Sequence, residues 1–100
     1  MELTLSIFIQ KKNDEYSRLN DKVEQSETVE ELTQNRLIKR QFMHDYAQEL
    51  NDFIWHHLSE LTPKTCVVFD LVPYTIWNLM SEKYTTIIDK IKELHQEEAS

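Results

Sequence analysis

The chain contains no glycine at all. Glycine-rich phosphate loops, dinucleotide fingerprints, nucleophile elbows and the usual calcium loop all need it at fixed positions, where the backbone takes positive φ or approaches a ligand closely. Each is excluded in its standard form. Two-residue hairpin turns also lean on glycine, so an extended meander of strands is not expected. Cysteine is nearly absent too: Cys66 stands alone, so no internal disulfide and no C-x-x-C zinc pattern can form, and a reducing compartment is the natural reading. Cys66 is flanked by Val67, Val68 and Phe69 with only Lys64 as a nearby cation, which reads as a packed cysteine and not a reactive one. No apolar run approaches the roughly 18 residues of a membrane span. The opening Met1-Glu2 carries no basic region or cleavage pattern of a leader, so the expected setting is cytoplasmic, with no membrane partner.

What is there fits one domain of 100 residues, 40% apolar and 10% aromatic, too hydrophobic to remain disordered. Eleven basic against 18 acidic residues leave a net charge of −7, which repels phosphate backbones at long range. Two alanines, no glycine and more lysine than arginine are the mark of AT-rich coding.

Residues 29–61 give the clearest pattern. Val29, Leu32, Ile38, Phe42, Met43, Tyr46, Leu50, Phe53, Ile54, Leu58 and Leu61 fall mostly three and four apart, the spacing of a helical stripe. Thr28 with Glu31 forms a capping-box pattern, and Pro63 follows the end. At 1.5 Å per residue this helix would run roughly 50 Å and needs partners along much of its length. A second helix is expected over 73–95, with Pro73 at its start and Ile76, Met80, Tyr84, Ile87, Ile91 and Leu94 in one stripe. In the first 25 residues, Leu5, Ile9, Lys12, Tyr16, Leu19 and Val23 alternate four and three apart, a coiled-coil seam. The fold expected is all-α: one antiparallel three-helix bundle, helices about 3–25, 29–61 and 73–95, with the long middle helix as spine. The alternative is α+β. Leu3, Leu5, Ile7 and Ile9 also alternate with polar residues, and the run 66–71 is β-branched, so short strands near 2–9 and 66–71 could pair.

Candidate chemistry is sparse. Asp45, Glu49, Asp52 and His56 share one helical face and could bind a divalent metal, but a solvated polar face explains them as well, and the other helices offer no matching cluster. No metal, cofactor or catalytic residue is assigned. His57, four residues from Phe53 and from Leu61, reads as a core or rim histidine with a bonded partner. Arg36, Lys39 and Arg40 form a basic knot that Lys11 and Lys12 would join in an antiparallel pairing. Direct nucleic-acid binding is still not expected of so acidic a chain lacking aromatic interleaving.

Trp55 points roughly 150° from the centre of the apolar stripe, at 100° per residue, and shares that outer side with Leu37, His44, Gln48 and Asn51. An exposed tryptophan marks binding hot spots, though the 66–72 segment could instead fold back over it. Trp77 reads as ordinary core. The function expected is therefore not enzymatic. It is a small acidic helical protein-interaction module, an inhibitor, adaptor or regulator of another protein, using Trp55, Leu37, His44, Gln48 and Asn51. Its composition suits a phage or mobile-element setting, and a homodimer is a further expectation. Two alternatives stand beside it. Asp14, Glu15, Asp21, Glu24, Glu27, Glu30 and Glu31 could imitate a phosphate track and block a basic groove. A metal-dependent helical enzyme would use the Asp45–His56 row.

Overall fold

In the computed structural model, the backbone is described for residues 2–62 and 64–99 and side chains for 4–62, 64 and 67–94. Among the described residues five α-helices follow one another: α1 (Glu2–Glu24), α2 (Val29–His56), α3 (Thr65–Phe69), α4 (Tyr74–Leu79) and α5 (Tyr84–Ala99), with a 3-10 turn at Leu58–Glu60. The class is all-α. Among the described residues there is no strand, which corrects the α+β alternative at both places, since 2–9 lies in α1 and 65–69 is α3. The N-terminal ambiguity resolves to helix because Leu5 and Ile9, one turn apart, are both buried, while Phe8 stacks on Phe53 at 5.6 Å and meets Tyr46 edge-on at 6.5 Å. A strand would have sent Leu5 and Phe8 to opposite faces.

α1 and α2 form an antiparallel hairpin. Thr28 caps α2 in extended conformation, its Oγ1 accepting from the Glu31 amide at 3.1 Å. The Glu31 carboxylate reaches back to the Glu27 amide at 3.1 Å, a capping box displaced by one residue. Cross-pairs hold the register: Phe8 with Phe53, Lys12 with Glu49, and Tyr46 Oη donating to Asn13 Oδ1 at 2.9 Å. Lys12, a cation in the apolar seam, is accommodated because its ammonium lies over the Phe8 and Phe42 rings, 5.7 and 5.6 Å from their centroids, and also pairs with Glu49. α1 thus lies along nearly all of α2.

α3 packs on α1, α4 on α2, and α5 on the 58–60 turn. Their buried side chains converge: Leu61, Phe69, Val72, Ile76, Ile87 and Ile91 join Leu5, Ile9, Tyr46, Ala47, Leu50 and Ile54 in one core. Asn13 locks the junction, accepting from Tyr46 and donating its amide to the Leu71 carbonyl at 2.8 Å. Tyr46 is fully buried, so leaving its hydroxyl without Asn13 would cost about 1–3 kcal/mol.

Two expected helices end early. α2 stops at His56, and the 3-10 turn swings Leu61 into the core. The helix expected over 73–95 is divided, with Met80 extended (φ −74°, ψ 145°) between α4 and α5. α4 lies on α2 whereas α5 lies on the 58–60 turn. One straight rod cannot bury Ile76 against the first and Ile87 and Ile91 against the second, so burial overrides the continuous stripe. The whole is elongated, 61 × 23 × 18 Å, with a radius of gyration of 16.0 Å. A compact chain of this length would have about 13 Å.

Candidate functional site

The surface divides into an apolar cleft at the packed end, a polar cleft beside α2, and a charged arm formed by the hairpin tip. The apolar cleft arises from a tight turn. After α3 the amides of Asp70, Leu71 and Val72 bond back to the carbonyls of Val67, Val68 and Phe69 at 3.0–3.3 Å, and Pro73, at φ −57°, starts α4. So tight a path sends Phe69 and Val72 inward and leaves Leu71 and Tyr74 outward, 54% and 78% exposed. The walls of the cleft are Phe69, Leu71, Pro73, Tyr74, Trp77 and Tyr84, and its volume is about 550 Å³. Trp77 meets Tyr84 edge-on at 5.0 Å and Phe69 at 5.5 Å, so the aromatic floor is fixed by mutual packing. Asp70, exposed, is the one carboxylate lining it among the described residues. Val67, 72% exposed, extends the apolar surface on α3. Such a cleft can take an apolar side chain, with a cation beside it for Asp70.

The outer row expected on α2 is only partly assembled. His44 and Gln48 are exposed and Asn51 half-buried, and all three line a second cleft of about 360 Å³ closed by Leu79, Met80 and Ser81. Leu37 is exposed, at 58%, but lies nearer the hairpin tip and outside that cleft. Trp55 corrects the expectation of an outward tryptophan. It is half-buried and packed against the core, its indole Nε1 donating to Asn51 Oδ1 at 3.2 Å. Trp77, expected as ordinary core, is half-buried and floors the apolar cleft.

The acidic residues 14–31 surround the arm. Asp14, Asp21, Glu24, Glu27, Glu30 and Glu31 are exposed and Glu15 is half-buried. Two of these carboxylates are engaged locally, Glu31 in the cap and Glu15 with Arg18, whose Nε donates at 2.9 Å. The Arg18 guanidinium holds the Glu15 carboxyl below its ordinary range, and Glu15 in turn raises Arg18.

Of the basic residues, Lys12 is taken by Glu49, and Lys39 lies 5.7 Å from the Tyr16 ring centroid. Arg36 and Arg40 have no carboxylate partner among the described residues. They line a shallow cleft of about 310 Å³ with Lys39, Met43, His44 and Leu79. The Asp45–His56 row keeps its sequence spacing, but among the described residues no three His, Cys, Asp or Glu side chains come together as a metal set. Asp45 accepts from Gln41 Nε2 at 3.0 Å, and Glu49 is held by Lys12. His57 ends α2 with its Nδ1 2.8 Å from Glu60 Oε2 and its ring 4.7 Å from that of Phe53, a bonded rim histidine. The Cys66 side chain lies outside the described residues. No helix among the described residues is long and apolar enough to cross a membrane.

Sequence reasoning missed Leu71, Tyr74 and Tyr84 as surface residues of one cleft. The available signal was Pro73, which starts a new helix directly after an apolar run and exposes what flanks the turn. Comparison with protein-family models, curated proteins and solved structures finds no match to this chain.

Proposed function

We propose that the chain is a protein-interaction module, an inhibitor, adaptor or regulator, which receives an apolar side chain of its partner in the cleft between α3, α4 and α5. One observation carries this reading: the cleft is open and aromatic-floored, and it is rimmed by Leu71 and Tyr74, two large apolar residues left exposed on a turn that buries its other apolar residues. Large exposed aromatics around a desolvated pocket are the usual make-up of a binding hot spot. Asp70 at the rim and the net charge of −7 select a partner segment with a basic residue next to its apolar anchor.

The test is affinity capture from a lysate of the source organism, followed by calorimetry with the purified partner. A Leu71→Ser/Tyr74→Ala double variant should keep its helical circular dichroism and bind at least about tenfold more weakly, a loss of about 1.4 kcal/mol. A partner whose affinity is unchanged by that variant would sink this surface.

The uncovered acidic arm favours a second reading, an imitation of a phosphate track through Asp21, Glu24, Glu27 and Glu30, all exposed. That complex would weaken steeply with salt. The cleft complex, dominated by apolar contact, would not.

A further inference from the structure

The N-terminal half of α2 presents a stripe that is complementary to itself. Val29, Glu30, Thr33, Arg36, Leu37, Arg40 and His44 fall within about 120° of one another around the helix at 100° per residue. Every one of them is exposed. The stripe is ordered along the axis: an acid at its start (Glu30, with Glu27 just before the helix), Thr33 and Leu37 in its middle, and Arg36, Arg40 and His44 towards its end. Val29 and Leu37, 80% and 58% exposed, supply the apolar part of this face. Glu30, Arg36 and Arg40 have no ion-pair partner among the described residues, although elsewhere on this molecule Lys12, Arg18 and Lys90 each find one.

We propose that this stripe pairs with the same stripe of a second copy, α2 against α2 in antiparallel orientation, making a two-fold dimer through the hairpin arms. A two-fold contact sets residue i against j and j against i, so a surface must carry its own complement to use one. This one does. With Glu30 level with Arg40 of the other copy, the two-fold axis passes near residue 35. Thr33 and Leu37 then fill the centre on both sides, and two Glu30–Arg40 pairs flank them. The ten residues from Glu30 to Arg40 rise about 15 Å, so the acid and base ends are far enough apart to avoid self-neutralisation within one helix.

The arm has need of such a cover. No residue from Asn20 to Asp45 is fully buried, and from α4 it is Leu79 that lines a shallow cleft with Arg36, Arg40 and His44, towards the C-terminal end of the stripe. Two paired hairpins would make a four-helix arrangement, the common way to cover helices of this kind. The residues used lie outside the aromatic cleft, so this pairing and the partner binding proposed above are independent and can fail separately.

Sedimentation equilibrium at ~50 µM, a concentration that reports micromolar association, tests the proposal with three proteins of unchanged helical circular dichroism. Wild type should be dimeric. Arg36→Glu/Arg40→Glu and Glu27→Arg/Glu30→Arg should each be monomeric, because each carries one sign of charge along the whole stripe. Mixed in equal amounts, the two variants should recover a dimer containing one copy of each, which loss of fold could not produce. A monomeric wild type, a dimer indifferent to both reversals, or a mixture that stays monomeric would overturn it.

Discussion

The two ends of this molecule are built from the same two helices and held in different ways. At the packed end, Tyr46, Leu50 and Ile54 on α2 and Leu5 and Ile9 on α1 are fully buried beneath side chains from the other elements. At the arm end, Leu19 is the last residue of α1 to be buried, and it stands apart from the main core. What fastens the tip is polar: Asn35 Nδ2 donates to Ser26 Oγ at 2.9 Å and to the Lys22 carbonyl at 3.3 Å, and Ser26 Oγ donates to the same carbonyl at 2.9 Å. Such bonds exchange with water at small net gain, whereas apolar burial accumulates with area. A helix can therefore be continuous in hydrogen bonding yet divided in stability. α2 is a scaffold in one half and a displayed surface in the other.

The largest effect expected from this division is on truncation of apolar side chains. Ile54→Ala opens a cavity in the main core and should cost about 2–5 kcal/mol. Leu32→Ala, one half-buried leucine on the arm, should cost about 1 kcal/mol or less. Urea unfolding followed by circular dichroism reads both, and equal costs would erase the distinction between the two ends.

A smaller effect is expected at alkaline pH. Burial pushes the Tyr46 phenol well above its ordinary value of 10.0. Above about pH 10 the unfolded chain loses this proton while the native chain keeps it, so stability is fully present below that value and falls as pH rises beyond it. Tyr46→Phe, which should cost about 1 kcal/mol at neutral pH through its lost bond to Asn13, should flatten that alkaline fall. A slope identical to wild type would show that another group causes it.

The all-α class and the hairpin were legible in the residues because local signals agreed with the burial that followed. The seam Leu5, Ile9, Leu19 faces inward, Thr28 and Glu31 form the cap, and Pro73 begins a helix. Other features were set by tertiary packing. The break at Met80 has no glycine or proline to announce it, and the apolar spacing runs through it unbroken. Trp55 was placed outward by its helical angle, but the width of its ring lets it reach the core from the side of the stripe. The cleft was hidden in a run that read as strand or linker. Only the turn at 69–73 decides that Phe69 and Val72 go in while Leu71 and Tyr74 stay out. On the arm, by contrast, the exposed charges and Leu37 stand where helical spacing alone puts them.

Native-state hydrogen exchange on dilute protein tests the division most directly, since it reads the opening free energy of each amide along one continuous helix. The account predicts that amides of residues 46–54 exchange only through global unfolding, whereas those of 32–42 exchange through local opening, at least about a hundredfold faster, a difference of about 2.7 kcal/mol. Equal protection along all of α2 in dilute solution would contradict it, and would mean that the arm stands on its own packing after all.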